Sequence, residues 1–229
     1  MKKILYISSM FCLLLIGNSC VVDSEVSFLA EAEGLGFTGT QEQIEDFFQI
    51  DSGTFNELLN LGISINEGST PPIIEGTFEV SPNELGSSNI TSDIEDTPEG
   101  INIGDIFLDN VVTFSNQNEE TRSISYSAQQ LDGSGNPVNS SFGLESLISG
   151  NGDRFTVVIR ISGSSTGSED NPVTFITGVA ISGSISSEGI LSYQEAFVLT
   201  EKEGDTFDDF IDVGEGRRFI DSDGVADRQ

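Results

Sequence analysis

The chain has 229 residues, 36% of them hydrophobic and 8% aromatic, and a formal net charge of −29. A chain of this length buries about 70% of its unfolded surface and needs no disulfide to build a core, while its acidity excludes nucleic acid and anionic lipid as partners docked through a basic patch. It contains no histidine, which excludes every histidine-dependent triad, proton shuttle and common zinc site.

Residues 1–19 read as an export signal. Lys2 and Lys3 form a short positive region, and the apolar run Ile4 to Ile16 follows. A membrane span needs about 20 such residues, so this run is too short for a comfortable anchor. Gly17-Asn18-Ser19-Cys20 resembles a bacterial lipoprotein signal with a relaxed lipobox, in which Cys20 becomes the acylated first residue of the mature chain. Cysteine usage supports this reading. The other cysteine, Cys12, is discarded with the signal, and acylation accounts for the thiol left over. A lipoprotein cysteine carries two or three acyl chains, which makes membrane attachment permanent where one chain is marginal.

Residues 20–39 form an acidic tether without sustained periodicity. A short helical segment over 40–72 comes next. Thr40-Gln41-Glu42-Gln43 has the capping-box form, with Ile44, Phe47 and Phe48 behind it at helical spacing. Thr54-Phe55-Asn56-Glu57 repeats that form, Leu58, Leu59 and Leu61 follow, and Gly62 stands where a helix ends. Pro71-Pro72 stops any helix.

Residues 73–229 are β-rich. Strands are expected near residues 73–81, 105–116, 121–130, 138–148, 154–163, 172–185, 189–201 and 214–220. The connections near Asn118, Asp132 to Asn136, Gly150 to Asp153 and Ser187-Glu188 are hairpin-like. Phe155, Val157, Ile159 and Ile161 alternate with Thr156, Val158 and Arg160, and Ile106, Leu108, Val112 and Phe114 alternate in the same manner. Such alternation predicts antiparallel sheet with one buried and one wet face. Eight sequential antiparallel strands favour an up-and-down barrel, because closure removes exposed edges. A β-sandwich is the alternative. Phe114, Phe155, Phe175 and Phe197 are candidates to fill the interior.

The segments Gly68 to Phe78, Ser81-Pro82, Phe114 to Gln117, Ile148 to Gly152, Phe155 to Val157 and Ile181 to Gly183 form a pattern. Gly189-Ile190, Ala196 to Val198 and Asp221 to Ala226 continue it. Together they resemble uncharacterised lipoproteins of Bacteroidota. The resemblance covers roughly residues 55–227 and implies a cell-envelope location and a lipocalin-like β-rich domain. It implies no catalytic residues. Gly76-Thr77-Phe78 is similar to the glycine-x-aromatic opening of many lipocalin barrels, although the tryptophan usual there is absent.

The tail supplies candidate calcium ligands in Asp221, Asp223 and Asp227. Calcium requires six to eight oxygens, and with Gly224 as the sixth loop position the first would be Phe219, which offers no side-chain oxygen. Glu201, Asp205, Asp208, Asp209 and Asp212 would add oxygens only if the fold brought them near. An Asp–Gly turn in a solvated acidic loop is the simpler reading, and no cofactor is expected. Serine hydrolysis lacks its histidine, and with 38 acids some carboxylate pair always looks suggestive.

The expectation is therefore a non-catalytic lipoprotein of the bacterial envelope, attached through acylated Cys20. Val21 after the cysteine leans toward the outer membrane, facing either the periplasm or the surface. The barrel either binds a small apolar ligand, at residues the sequence does not identify, or is filled and serves a structural or protein-interaction role.

Overall fold

The computed structural model describes residues 37–48, 53–94, 100–143, 145–166, 172–207 and 210–229. The fold is mainly β. Three short helices are described, α1 (Gln41–Phe47), α2 (Thr54–Asn60) and α3 (Thr91–Ile94). Twelve strands are described: β1 (Ser69–Thr70), β2 (Gly76–Val80), β3 (Asn83–Ser88), β4 (Asn110–Ser115), β5 (Ser125–Leu131), β6 (Pro137–Phe142), β7 (Glu145–Asn151), β8 (Arg154–Thr166), β9 (Pro172–Ile185), β10 (Gly189–Glu203), β11 (Gly216–Asp221) and β12 (Val225–Arg228).

These strands form one sheet in the order β1-β7-β8-β9-β10-β12-β2-β4-β5-β6, antiparallel throughout except for the parallel β1–β7 pair. A branch leaves β10, where β11 pairs with β10 on one side and with β3 on the other. The order stays open from β1 to β6, so the expected closed barrel of eight strands is replaced by a larger open sheet. The sheet nevertheless curls. A bridge joins Ser123 to Leu147, the Ile124 N–H donates to Ser146 O (3.2 Å) and the Ile148 N–H donates to Arg122 O (2.8 Å).

Differences from the expected elements have local causes. The stretch expected as one strand over 138–148 is two, because the chain turns at Gly143, where an added Cβ would lie 2.9 Å from the Ile159 side chain. Ile106 and Leu108 lie outside β4 and are exposed, with only an isolated bridge from Ile106 to Glu84. β3 and β12 carry too few apolar residues to show a period, and position on the sheet alone makes them strands.

The inner face of the sheet encloses the main core. Its largest fully buried side chains are Phe78, Phe114, Phe155 and Tyr193, from β2, β4, β8 and β10. The Phe114 ring lies 6.2 Å from Phe78, 5.9 Å from Tyr126 and 6.4 Å from Phe155, centroid to centroid. These are tilted and edge-on contacts favoured by the ring quadrupole. Phe175 is buried beside Phe210, and Phe197 stacks on Phe219 at 6.3 Å.

The outer face of β7 to β10 is buried as well. Thr156 is fully buried and Val158 nearly so, which corrects the expected wet face of β8. The cover is α1, α2 and the chain after them. Ile44, Phe47, Phe48, Phe55, Leu58 and Leu61 pack on Leu147, Val158, Ala180, Ala196 and Val198. Small residues on the sheet let the helices approach. At Gly178 a Cβ would come within 2.9 Å of Thr54 and 3.1 Å of Phe48. Both helices contribute an apolar stripe, so burial rather than intrinsic propensity holds elements of only two turns.

Helix termini follow the sequence in part. The Thr40 hydroxyl accepts from the Gln43 N–H at 3.4 Å, and the Gln43 side chain reaches back to the Thr38 N–H at 2.6 Å. At the second helix the N-cap is Gly53 without a side-chain bond, which corrects Thr54 as the capping residue. Gly62 has φ +85°, the left-handed conformation that glycine adopts freely after a helix.

Candidate functional site

The acidic tail forms the turn between β11 and β12. The Asp221 carboxylate accepts the Ser81 N–H (3.0 Å) and the Asp223 N–H (3.3 Å), and Asp223 accepts the Val225 N–H (3.1 Å). Burial, followed by the neighbouring Asp223 side chain, pushes the Asp221 carboxyl up to about 6. Asp227 stands apart from both, exposed on β12 and paired with Gly189 and Glu79. The fold thus brings Asp221 and Asp223 together and leaves Asp227 out. Among the described residues no group of three or more acids or cysteines is placed to hold a metal ion.

The acids before the tail serve another charge. Lys202 donates to Asp205 (2.9 Å), Asp212 (3.0 Å) and the Phe210 carbonyl (3.3 Å). Burial works against its charge, but the two carboxylates outweigh it and raise its pKa. Glu201 is exposed on β10, and Asp208 and Asp209 lie outside the described residues. Cys20, the signal 1–19 and the tether to residue 36 also lie outside them.

Gly76 opens β2, and Phe78 lies in the core with the Arg228 guanidinium 4.7 Å from its ring centroid. The exposed Arg228 thereby makes a cation–π contact with a core ring.

A second acidic site was not anticipated. Tyr193, Glu195 and Phe197 alternate along β10 and so share the inner face. Glu195 is buried there, 7% exposed. The Tyr193 hydroxyl donates to its Oε2 at 2.6 Å, and the Asn110 amide of β4 lies 3.4 Å from the same oxygen. No cation pairs with Glu195 among the described residues. Burial raises its pKa, against the opposing Tyr193 hydrogen bond. Tyr126 on β5 is the third member. Its hydroxyl is buried without a well-formed hydrogen bond, and burial, then the Glu195 charge, raise its pKa, with the neighbouring Ser141 hydroxyl opposing. Tyr193 is raised by the same two causes in the same order. The signal was present in the sequence, as an acid at an inward position between two aromatics.

Chemically, this cluster can hold or release a proton. Comparison with family models, with curated proteins and with solved structures finds no match to the chain. Among the described residues no helix is long and apolar enough to cross a membrane.

Proposed function

We propose that this chain is a non-catalytic lipoprotein of the bacterial cell envelope, held at the outer membrane by acylated Cys20. Its curled, lipocalin-like sheet serves a structural or protein-interaction role. The observation that carries this reading is the occupancy of the interior by its own side chains. Phe78, Phe114, Tyr126, Phe155 and Tyr193 are buried together where a ligand-binding relative of a barrel would hold its guest. The acidic, lysine- and arginine-free stretch from Ile4 to Thr121 keeps the tethered domain solvated and opposes self-association.

The competing reading, a small apolar ligand held in the interior, has one observation in its favour. The Tyr126 hydroxyl is a buried polar group left over inside the core. Titration with an apolar dye separates the two readings, and acyl labelling of Cys20→Ala tests the anchor.

A further inference from the structure

The sheet forks at Tyr193. Below the fork, Gly189 to Leu191 of β10 pair with β12, which leads into β2 and β4. Above it, Gln194 to Val198 pair with β11, which leads into β3. The fork itself is irregular. The β9–β10 register shifts between Leu191 and Gln194, Ser192 has φ +52°, and β11 shifts against β3 between Arg218 and Phe219.

Glu195 lies directly above this fork, paired with Phe219 of β11. Residues directly opposite in an antiparallel pair share a face. The Phe219 ring, stacked on Phe197 and 5.0 Å from Phe107, therefore covers the carboxyl on the β11 side. Around Glu195 stand Tyr193 on its own strand, Asn110 on β4, Tyr126 on β5 and Ile181 on β9. Asp221, at the end of β11, acts on Tyr193 and adds negative charge. The basic residues of β11 are engaged elsewhere. Arg217 is bound to Asp93, and Arg218 lies on the opposite face with Leu61 O and Ser87.

A carboxylate in this position has one neutral hydrogen-bond donor at short range and no counter-ion. Its charged form is costly inside and favourable in water. On the β11 side Phe219 and its stacking partner Phe197 are only half-buried, whereas Tyr193, Tyr126 and Ile181 are buried.

We propose that the fork is a proton-operated latch, in which protonated Glu195 keeps the β11–β3 branch seated on β10 and its ionisation lets that branch open ahead of the rest of the sheet. In an acidic surrounding the domain is closed. In a neutral one the Phe197–Phe219 apolar pair becomes intermittently available.

Hydrogen exchange of the purified chain at pH 5.5 and pH 8, corrected for intrinsic exchange, tests this. Protection of the Glu195 to Val198 and Arg217 to Ile220 amides should fall at pH 8 by more than that of any other part of the sheet, since a carboxyl whose pKa is raised by burial ionises more readily in the open state. Glu195→Gln should remove the fall. Tyr193→Phe should leave pH 5.5 protection in place and deepen the fall at pH 8, because the ionised carboxyl loses its donor. If Glu195→Gln does not fold, the Tyr193→Phe result decides alone. A fall of equal size in Glu195→Gln, one abolished only by Asp221→Asn, one spread evenly over β7 to β9, or a Tyr193→Phe profile identical to the parent would each overturn the latch.

Discussion

The Thr156 hydroxyl on β8 accepts a hydrogen bond from the Asn66 N–H at 2.8 Å, and the Asn66 side-chain amide donates to Phe155 O at 2.9 Å. With Ser149 donating to Asn66 O (2.8 Å), these bonds strap the chain after α2 across the outer face of the sheet. Thr156→Val keeps the shape but leaves the Asn66 N–H without its acceptor. A buried donor left unsatisfied costs about 1–3 kcal/mol. Urea melts should show a loss in that range with an unchanged slope. A loss below about 0.5 kcal/mol, the usual value for a featureless surface site, would place Thr156 in solvent and the strap elsewhere.

On the other face of the same strand, Phe155→Ala removes a fully buried ring that packs edge-on against Phe114. Truncating a packed aromatic costs about 3–5 kcal/mol. The same melts measure it, and a small loss would mean that the inner face is loosely filled.

The strand pattern was legible where alternation was long. β9 follows its expected bounds, 172–185, and Phe155, Val157, Ile159 and Ile161 face the inner core. The helical segments were legible from apolar spacing, with a capping residue correctly read only at α1, and the four hairpin turns from their turn residues. Two-sided burial of β7 to β10 was not. Thr156 and Val158 read as a wet face because a strand's own sequence does not show that helices from residues 41–60 will lie over it. The open order of the sheet was hidden for a related reason. β12 inserts between β10 and the distant β2, and Val225 to Arg228 is too short and too polar to reveal it. The Tyr193–Glu195 cluster was legible as an inward acid, but Tyr126 and Asn110 join it only through the fold.

A bidentate ion pair fastens β11 to α3. Arg217 donates to both oxygens of Asp93, at 2.7 and 3.0 Å, and the Ser88 hydroxyl donates to the same carboxylate at 2.7 Å. Asp93 is 2% exposed. Breaking such a pair from one side leaves an uncompensated buried charge, so Asp93→Ala should cost about 3 kcal/mol or more. Because the pair is buried, molar salt should change the parent's melting temperature far less than this substitution does. A loss erased by salt would assign the pair to the solvated surface.

The Asp221 carboxyl should make stability fall rather than rise with pH. Asp221 is raised from an ordinary carboxylate value to about 6, so the native state binds its proton more tightly than the unfolded chain does. Its contribution is greatest below the unfolded pKa, near 4, and is lost as pH climbs to about 6, with no further change above. Glu195 shifts in the same direction. Between pH 4 and 7 the denaturant midpoint of the parent should fall relative to that of Asp221→Asn. Equal slopes in both would show that Asp221 titrates normally in the folded state.

The tail also allows a calcium test. A ligand of the native state raises the melting temperature by mass action. Calcium and magnesium at equal ionic strength should give the same small gain, by screening the net charge of −29. A calcium-specific gain that Asp221→Asn with Asp223→Asn removes would establish a site there.

Attachment rests on one residue. Cys20→Ala should abolish acyl labelling in cells and move the protein from the detergent phase to the soluble fraction. Continued membrane association of this variant would contradict the lipoprotein reading.

The occupied interior is the claim on which the rest depends, and an apolar-dye titration of the purified native chain meets it most directly. The packed ring cluster around Phe114 predicts no saturable uptake in the parent, at either pH 5.5 or pH 8. Stoichiometric, saturable binding that Phe155→Ala or Phe114→Ala alters, with the parent still fully folded, would show a ligand cavity where the side chains are placed and would contradict the account.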